Sequence, residues 1–164
     1  MNEFDVIVLG AGAAGLYCAA EAGRRGRRAV VLEHNDRPGR KILISGGGRC
    51  NFTNRETRPE RFLSENPDFC RSALARFTPA DFIALIERHG VPYYEKKLGQ
   101  LFCRTSAKAV TDLLLAECRE AGAEVRVGCG TEDVAKEGGA FRLRTNRGEF
   151  AAPALVVATG GLSI

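Results

Sequence analysis

Gly10, Gly12 and Gly15 fall in the order GxGxxG within Gly10-Ala11-Gly12-Ala13-Ala14-Gly15, and a lone carboxylate, Glu33, follows 18 residues after Gly15. That pattern suits one chemical task, gripping a dinucleotide by its ADP half. Gly10 permits a tight turn, Gly12 lets backbone approach a pyrophosphate, and Gly15 lets helix and strand pack closely. Backbone N–H groups at a helix start, near Ala13 and Ala14, lack intrahelical acceptors and favour anions. Glu33 can accept hydrogen bonds from both ribose hydroxyls and would repel a 2′-phosphate, which disfavours NADP at this site. His34 adjoins it in the expected contact set.

A second group of such residues lies in Arg37-Pro38-Gly39-Arg40-Lys41-Ile42-Leu43-Ile44-Ser45-Gly46-Gly47-Gly48-Arg49-Cys50-Asn51. An NAD-type domain passes directly from its second strand into another helix. Here a long loop brings two cations and three consecutive glycines back toward the nucleotide instead. Arg40 and Lys41 can neutralise a pyrophosphate, and Gly46, Gly47 and Gly48, flanked by Ser45 and Asn51, let backbone N–H groups approach it. This argues for FAD. The competing reading is a surface loop with its charges in solvent.

Metal and thiol chemistry find less support. The six cysteines, at 18, 50, 70, 103, 118 and 129, include no CxxC pair, and only His34 and His89 could complete a metal site. Cys18 and Cys118 read as small apolar residues on helices, and Cys50 as a packing residue. Tyr93 and Tyr94 could act as acids but read as strand tyrosines. No residue is assigned as a proton donor.

These residues need an alternating scaffold to position them. Residues 5–9 form a β-branched apolar run, as in a parallel strand covered on both faces. The glycine turn follows, then an Ala- and Leu-rich helix over 16–25 stopped by Gly26, then a strand over 29–33. About twenty residues after it read as loop. Helices are predicted around 67–77 and from Thr78-Pro79-Ala80-Asp81, where Thr78 caps and Asp81 closes a capping box. A hairpin around Gly99, a helix capped by Ser106 and a strand over 123–127 come next. A β-meander over 131–150 and a buried strand over 154–158 complete the order. The expected fold is α/β, a Rossmann-like parallel sheet with a small β-meander.

The chain has 164 residues and a net charge of +4, with 45% hydrophobic and 27% charged residues, a globular balance. No apolar run approaches the roughly 20 residues that span a bilayer, and the N-terminus has no secretory pattern. A cytoplasmic protein with no membrane and no metal is expected. Arg24, Arg25, Arg27 and Arg28 could touch RNA, but read as a solvated helix end.

The stretch Gly39-Arg40-Lys41-Ile42-Leu43-Ile44-Ser45-Gly46-Gly47-Gly48-Arg49-Cys50-Asn51-Phe52-Thr53-Asn54 resembles the signature of the YhiN/BaiN-like NAD(P)/FAD-dependent oxidoreductases. The GAGAAG turn, Gly99-Gln100-Leu101-Phe102-Cys103-Arg104-Thr105-Ser106-Ala107 and Ala158-Thr159-Gly160-Gly161-Leu162-Ser163-Ile164 match in the same order. The resemblance implies a flavoprotein of the two-dinucleotide-binding-domain type, with NAD(P)H as reductant. It further implies that the turn of Ala158, Thr159, Gly160 and Gly161 approaches the FAD phosphates and ribityl chain, and that Val134 offers a backbone contact to adenine. It implies hydride transfer to an unsaturated acceptor, a small molecule or a nucleobase. Members are more than twice this length, so residues 1–164 are expected to be the N-terminal FAD-binding portion, incomplete at the C-terminus, without the inserted substrate domain and the closing segment. The rivals are a nucleotide-binding module without turnover and an RNA-acting flavoprotein that reduces uridine.

Overall fold

The computed structural model describes residues 2–161. Along the chain run β1 (Asn2–Glu3), β2 (Val6–Leu9), α1 (Ala13–Arg24), β3 (Ala29–Leu32), α2 (Arg40–Ile44), β4 (Asn51–Asn54), α3 (Arg71–Arg76) and α4 (Pro79–Arg88). They continue with β5 (Tyr93–Glu95), β6 (Gln100–Cys103), α5 (Lys108–Glu120), β7 (Glu124–Arg126), β8 (Thr131–Glu137), β9 (Ala140–Thr145), β10 (Gly148–Ala152) and β11 (Ala154–Val157). The chain divides into two compact units, one holding the residues up to Ile42 and from Leu114 onward, the other Leu43–Leu113.

Unit one is built on the parallel sheet β11-β2-β3-β7. Ile7, Val8, Val30 and Val31 are fully buried, as continuous apolar strands require. The helix α1 lays its small face, Gly15, Leu16, Ala19 and Ala20, into the interior. A second sheet, β1-β10-β9-β8, contains the meander with its turns at Gly138-Gly139 and Asn146-Arg147. Phe4, Ile7, Val30, Leu32, Cys129, Leu143, Phe150 and Ala152 join the two sheets in one core.

Two local features differ from the sequence expectation. The stretch after β3 is not all loop: Arg40, Lys41 and Leu43 are good helix formers, and burial of Ile42 gives α2 an anchored face. The strand β11 is half-buried and not covered on both faces, because it lies at the sheet edge; Val157 is 70% exposed. The arginine cluster stays exposed at the helix end, as expected, and makes ion pairs there: Arg24 pairs with buried Glu117 and with Glu21, Arg25 with Glu21, and Arg28 lies 5.5 Å over the Phe4 ring. The two-residue strand β1, parallel to β10, had no periodicity to reveal it.

Unit two carries the antiparallel sheet β4-β6-β5, whose β5–β6 pair is the hairpin expected around Gly99. Phe52 meets Phe82 of α4 and Tyr93 of β5 edge-on, with ring centroids 6.0 and 5.6 Å apart. The Thr78 capping box is formed: the Thr78 hydroxyl accepts from the Asp81 N–H, and the Asp81 carboxylate accepts from the Thr78 N–H at 2.7 Å. The Thr78 hydroxyl also donates to the Asp81 carboxylate at 2.6 Å, and this bond and then the one from the Thr78 amide hold Asp81 below its usual pKa. Thr78→Ala is expected to lower the thermal midpoint by about 2–4 °C, read by circular dichroism.

Candidate dinucleotide site

Three register-matched parallel strands end side by side in unit one. Val157 of β11 pairs with Leu9 of β2, and Leu9 with Leu32 of β3. The next residues are the turn at 158–161, the glycine turn from Gly10, and Glu33. Open α/β sheets bind ligands at this carboxyl edge.

Backbone bonds hold the turn closed. Gly10 N–H donates to the Leu32 carbonyl and Ala158 N–H to the Leu9 carbonyl, both at 2.8 Å. Gly10 has φ +100, and a Cβ there would sit 2.6 Å from the Ala158 carbonyl oxygen. A Cβ on Gly15 would lie 1.9 Å from the Gly10 carbonyl oxygen, so helix and turn can meet only at glycine. Gly12 is different. It caps α1 with φ −81 and ψ −175, a conformation open to any residue, and a Cβ there would meet nothing within 4 Å. Space is therefore left beside the exposed first turn at Ala13 and Ala14.

Glu33 is 6% exposed and its carboxylate is already engaged with the turn. Oε2 accepts from the Ala11 N–H at 2.8 Å; Oε1 accepts from the Asn35 N–H at 2.9 Å and its side-chain amide at 2.5 Å. The His34 Nδ1 lies 3.2 Å from Oε1. Burial pushes the Glu33 pKa up, but the amides of Asn35 and Ala11, the Asn35 side chain and His34 outweigh it, and the net direction is downward. The carboxylate is thus an anion at neutral pH. Its contribution to stability is complete above the usual value of 4.5 and is lost as pH falls through the lowered folded value. Glu33→Gln is expected to cost about 1–2 kcal/mol at pH 7. The gap from wild type should close below pH 4.5 in melts taken across the acid range.

The remaining residues of unit one surround this edge. Gly39 N–H donates to the Ala11 carbonyl at 2.8 Å, which ties the second loop to the glycine turn. Arg40 donates to the Asn35 Oδ1 at 2.6 Å, and Lys41 Nζ donates to the Gly161 carbonyl at 2.7 Å. Gly160 is left-handed at φ +78, and a Cβ on it would come within 2.9 Å of Lys41 Nζ. Thr159, Gly160 and Gly161 are exposed. Val134 lies on β8, which has a single neighbouring strand among the described residues, so one side of its backbone is open.

Ser45, Gly46, Gly47, Gly48 and Asn51 belong to unit two. The three glycines are all left-handed, at φ 56, 66 and 81, a run that L side chains resist. A Cβ on Gly46 would lie 2.8 Å from both the Asn51 nitrogen and the Phe102 ring. The Asn51 amide donates to the Thr53 and Leu101 carbonyls at 3.1 Å. Ser45 bonds the Cys50 side chain, and burial pushes the Cys50 thiol pKa upward. Burial and the nearby Cys50 push Cys103 up to about 11. Both remain thiols at neutral pH, which suits packing over redox work.

Ala11 and Asn35, which hold the Glu33 carboxylate, are positions the sequence reading passed over. An Asx residue two places beyond a strand-end carboxylate was the available signal, since Asn readily bonds local backbone and side chains. A surface pocket of about 280 Å³ in unit two, among Pro59, Phe62, Leu63, Pro67 and Arg71, contains none of the residues singled out above. Among the described residues no three His, Cys, Asp or Glu side chains gather as a metal site, and no helix is long and apolar enough to cross a membrane.

A glycine turn, an anionic strand-end carboxylate and a meander beside a parallel sheet define a Rossmann-like α/β domain. The HI0933-like protein Rossmann domain family matches residues 4–164, and the chain belongs to that family. The YhiN/BaiN-like resemblance noted in the sequence agrees with it. The chain is 50% identical over its whole length to a ribosomal RNA dihydrouridine synthase of Escherichia coli, spanning 41% of that protein. It is 30% identical to a 3-dehydro-bile acid delta(4,6)-reductase of Clostridium scindens, over 98% of this chain and 39% of that protein. Among solved structures, a glycine oxidase of Geobacillus kaustophilus superposes with a TM-score of 0.66 at 19% identity, over 98% of this chain and 56% of the other. The chain thus spans about two fifths of the length of these curated relatives.

Proposed function

We propose that residues 1–164 form the FAD-binding portion of an oxidoreductase that passes hydride from NAD(P)H to an unsaturated acceptor. One observation carries this reading: the glycine turn, Glu33 and the turn at 158–161 leave the ends of three adjacent, register-matched strands. The donor set suits the ADP half of FAD. Gly12 keeps space open before the α1 N–H groups, buried Glu33 offers a fixed anion for ribose hydroxyls, and Arg40 and Lys41 offer positive charge. In this reading Gly10, Gly12, Ala13, Ala14 and Gly15 face the pyrophosphate, and Glu33 and His34 the adenosine ribose. Val134 contributes a backbone contact to adenine. Ala158, Thr159, Gly160 and Gly161 serve the rest of the cofactor. When bound, FAD would supply the hydride chemistry, while the chain binds and orients it.

The relatives support the choice of acceptor. One is a dihydrouridine synthase and one a delta(4,6)-reductase, both names denoting saturation of a carbon–carbon double bond. The 50% identity to the former favours a uridine in ribosomal RNA over a small enone, and the cytoplasm as the compartment. An absorbance spectrum of the purified protein tests the cofactor. Flavin bands released by heat are expected, and bleaching under anaerobic NADH or NADPH would identify the reductant. A protein that neither carries nor takes up FAD would overturn the reading.

A further inference from the structure

Glu33 and Arg40 reach each other through one side chain. The Asn35 amide nitrogen donates to Glu33 Oε1 at 2.5 Å, and its amide oxygen accepts from Arg40 Nη1 at 2.6 Å. Asn35 adds its backbone N–H to the same Glu33 oxygen at 2.9 Å. Its own carbonyl is held by the Gly128 N–H at 2.7 Å, so the residue is pinned from the connection between β7 and β8. The other Glu33 oxygen holds the Ala11 N–H, and the Ala11 carbonyl takes the Gly39 N–H. A continuous path therefore runs from the loop cation through Asn35 and Glu33 into the peptide at the centre of the glycine turn.

We propose that Asn35 is a positioning residue: it holds the Glu33 carboxylate against the glycine turn and ties it to Arg40, so that the two charges meet a nucleotide as one unit. The proposal rests on the dinucleotide reading of this site and adds a residue to it. A carboxylate with one oxygen committed to Ala11 and the other chelated by Asn35 cannot rotate without breaking both sets of bonds. Two ordered oxygens are what paired ribose hydroxyls require, since bidentate recognition depends on geometry as well as charge. Arg40, otherwise an exposed and rotamer-rich side chain, is held by the same amide and loses less freedom when an anion arrives.

The groups facing the carboxylate are few. His34 lies 3.2 Å away, and Arg40 is one side chain removed. Arg126 of β7 presents its backbone carbonyl to the Glu33 N–H while its guanidinium turns to Glu124. Cys129 gives its N–H to the Glu33 carbonyl, and its thiol turns to Thr145. Asn35 is thus, among the described residues, the one side-chain amide on the carboxylate, beside the Ala11 N–H, and its loss should register in how Glu33 titrates.

Two variants separate the halves of the role. Asn35→Asp keeps an acceptor for Arg40 but removes the side-chain donor to Glu33 and adds a like charge; Asn35→Ala removes both side-chain contacts, and the backbone N–H bond to Glu33 remains in each. Carbon-13 NMR of the Glu33 carboxyl in ligand-free protein, assigned with Glu33→Gln, reads the first effect. The titration midpoint should rise by about one unit in Asn35→Ala and further in Asn35→Asp. Calorimetry with ADP at pH 7 reads the second, with affinity expected to fall about tenfold in both. A Glu33 midpoint unmoved in both variants would overturn the proposal. So would a midpoint at or above the usual glutamate value in the unaltered protein, a measurement that needs no variant to fold. Shifted midpoints in a protein that binds no ADP would uphold Asn35 as the organiser of Glu33 and refute the dinucleotide reading alone.

Discussion

Gly12→Ala is expected to leave the protein folded and to weaken ADP and FAD binding ten- to a hundredfold. The reason lies in what surrounds the position. Gly12 is extended at φ −81, so alanine meets no backbone strain, and its Cβ would touch no atom within 4 Å. The one structural cost is at the helix cap, where alanine is worse than glycine by about 0.5–1 kcal/mol. That corresponds to a fall of about 1–4 °C in a melt. The open space lies beside the α1 N–H groups, which would meet phosphate oxygens through charge-assisted hydrogen bonds of about 1.5–3 kcal/mol each. A methyl group there keeps the phosphates at a distance. Calorimetry with ADP, and flavin fluorescence quenching with FAD, check the outcome. Undiminished affinity would mean that the pyrophosphate does not sit at this turn.

Gly10→Ala should do the reverse and damage the fold itself. Alanine at φ +100 is strained wherever it stands, and its Cβ would press to 2.6 Å from the Ala158 carbonyl oxygen and 3.0 Å from its carbon. Both are backbone atoms, held by the Ala158 N–H bond to Leu9 and by the pairing of β11 with β2. Neither can step aside without parting two strands. Strain of about 1–3 kcal/mol and overpacking of similar size combine to about 3 kcal/mol or more. For a chain of this length that is a fall of about 10 °C in the thermal midpoint. Loss of ligand binding in Gly10→Ala would follow from the damaged turn, whereas in Gly12→Ala it would occur in a folded protein. A Gly10→Ala protein that melts like wild type would show that the turn and β11 are not locked together.

Much of this arrangement could be read from one dimension. The strands β2 and β3 are short β-branched runs, and the glycine turn and Ala-rich α1 between them leave one sensible topology. The α4 capping box was legible because its four residues are local. The errors arose where tertiary contacts decide. The helix α2 depends on burial of Ile42 inside a stretch rich in Gly and Pro. The strand β11 is apolar enough to look covered on both faces, yet edge position is a property of the sheet and not of the strand. Nothing in Arg24 and Arg28 announced that Glu117 and the Phe4 ring would receive them, whereas the Glu21 pairs, three and four residues away on one helix, are local.

What the sequence by itself determined is the kind of chemistry: glycines spaced for a phosphate turn, a carboxylate at the next strand end, and a second glycine-rich loop that marks the family. Those signals are local, because turns, caps and strand propensity act over a few residues. Only the tertiary structure decided how each glycine is used. Gly10 and Gly15 are enforced by backbone pressed against them, while Gly12 has empty space. Only it could find Asn35, whose partners become a single hydrogen-bonded path after β3, the second loop and the β7–β8 connection converge. The physical reason is the same in both cases: close approach and hydrogen-bond geometry belong to segments distant in sequence, and no spacing along the chain records them.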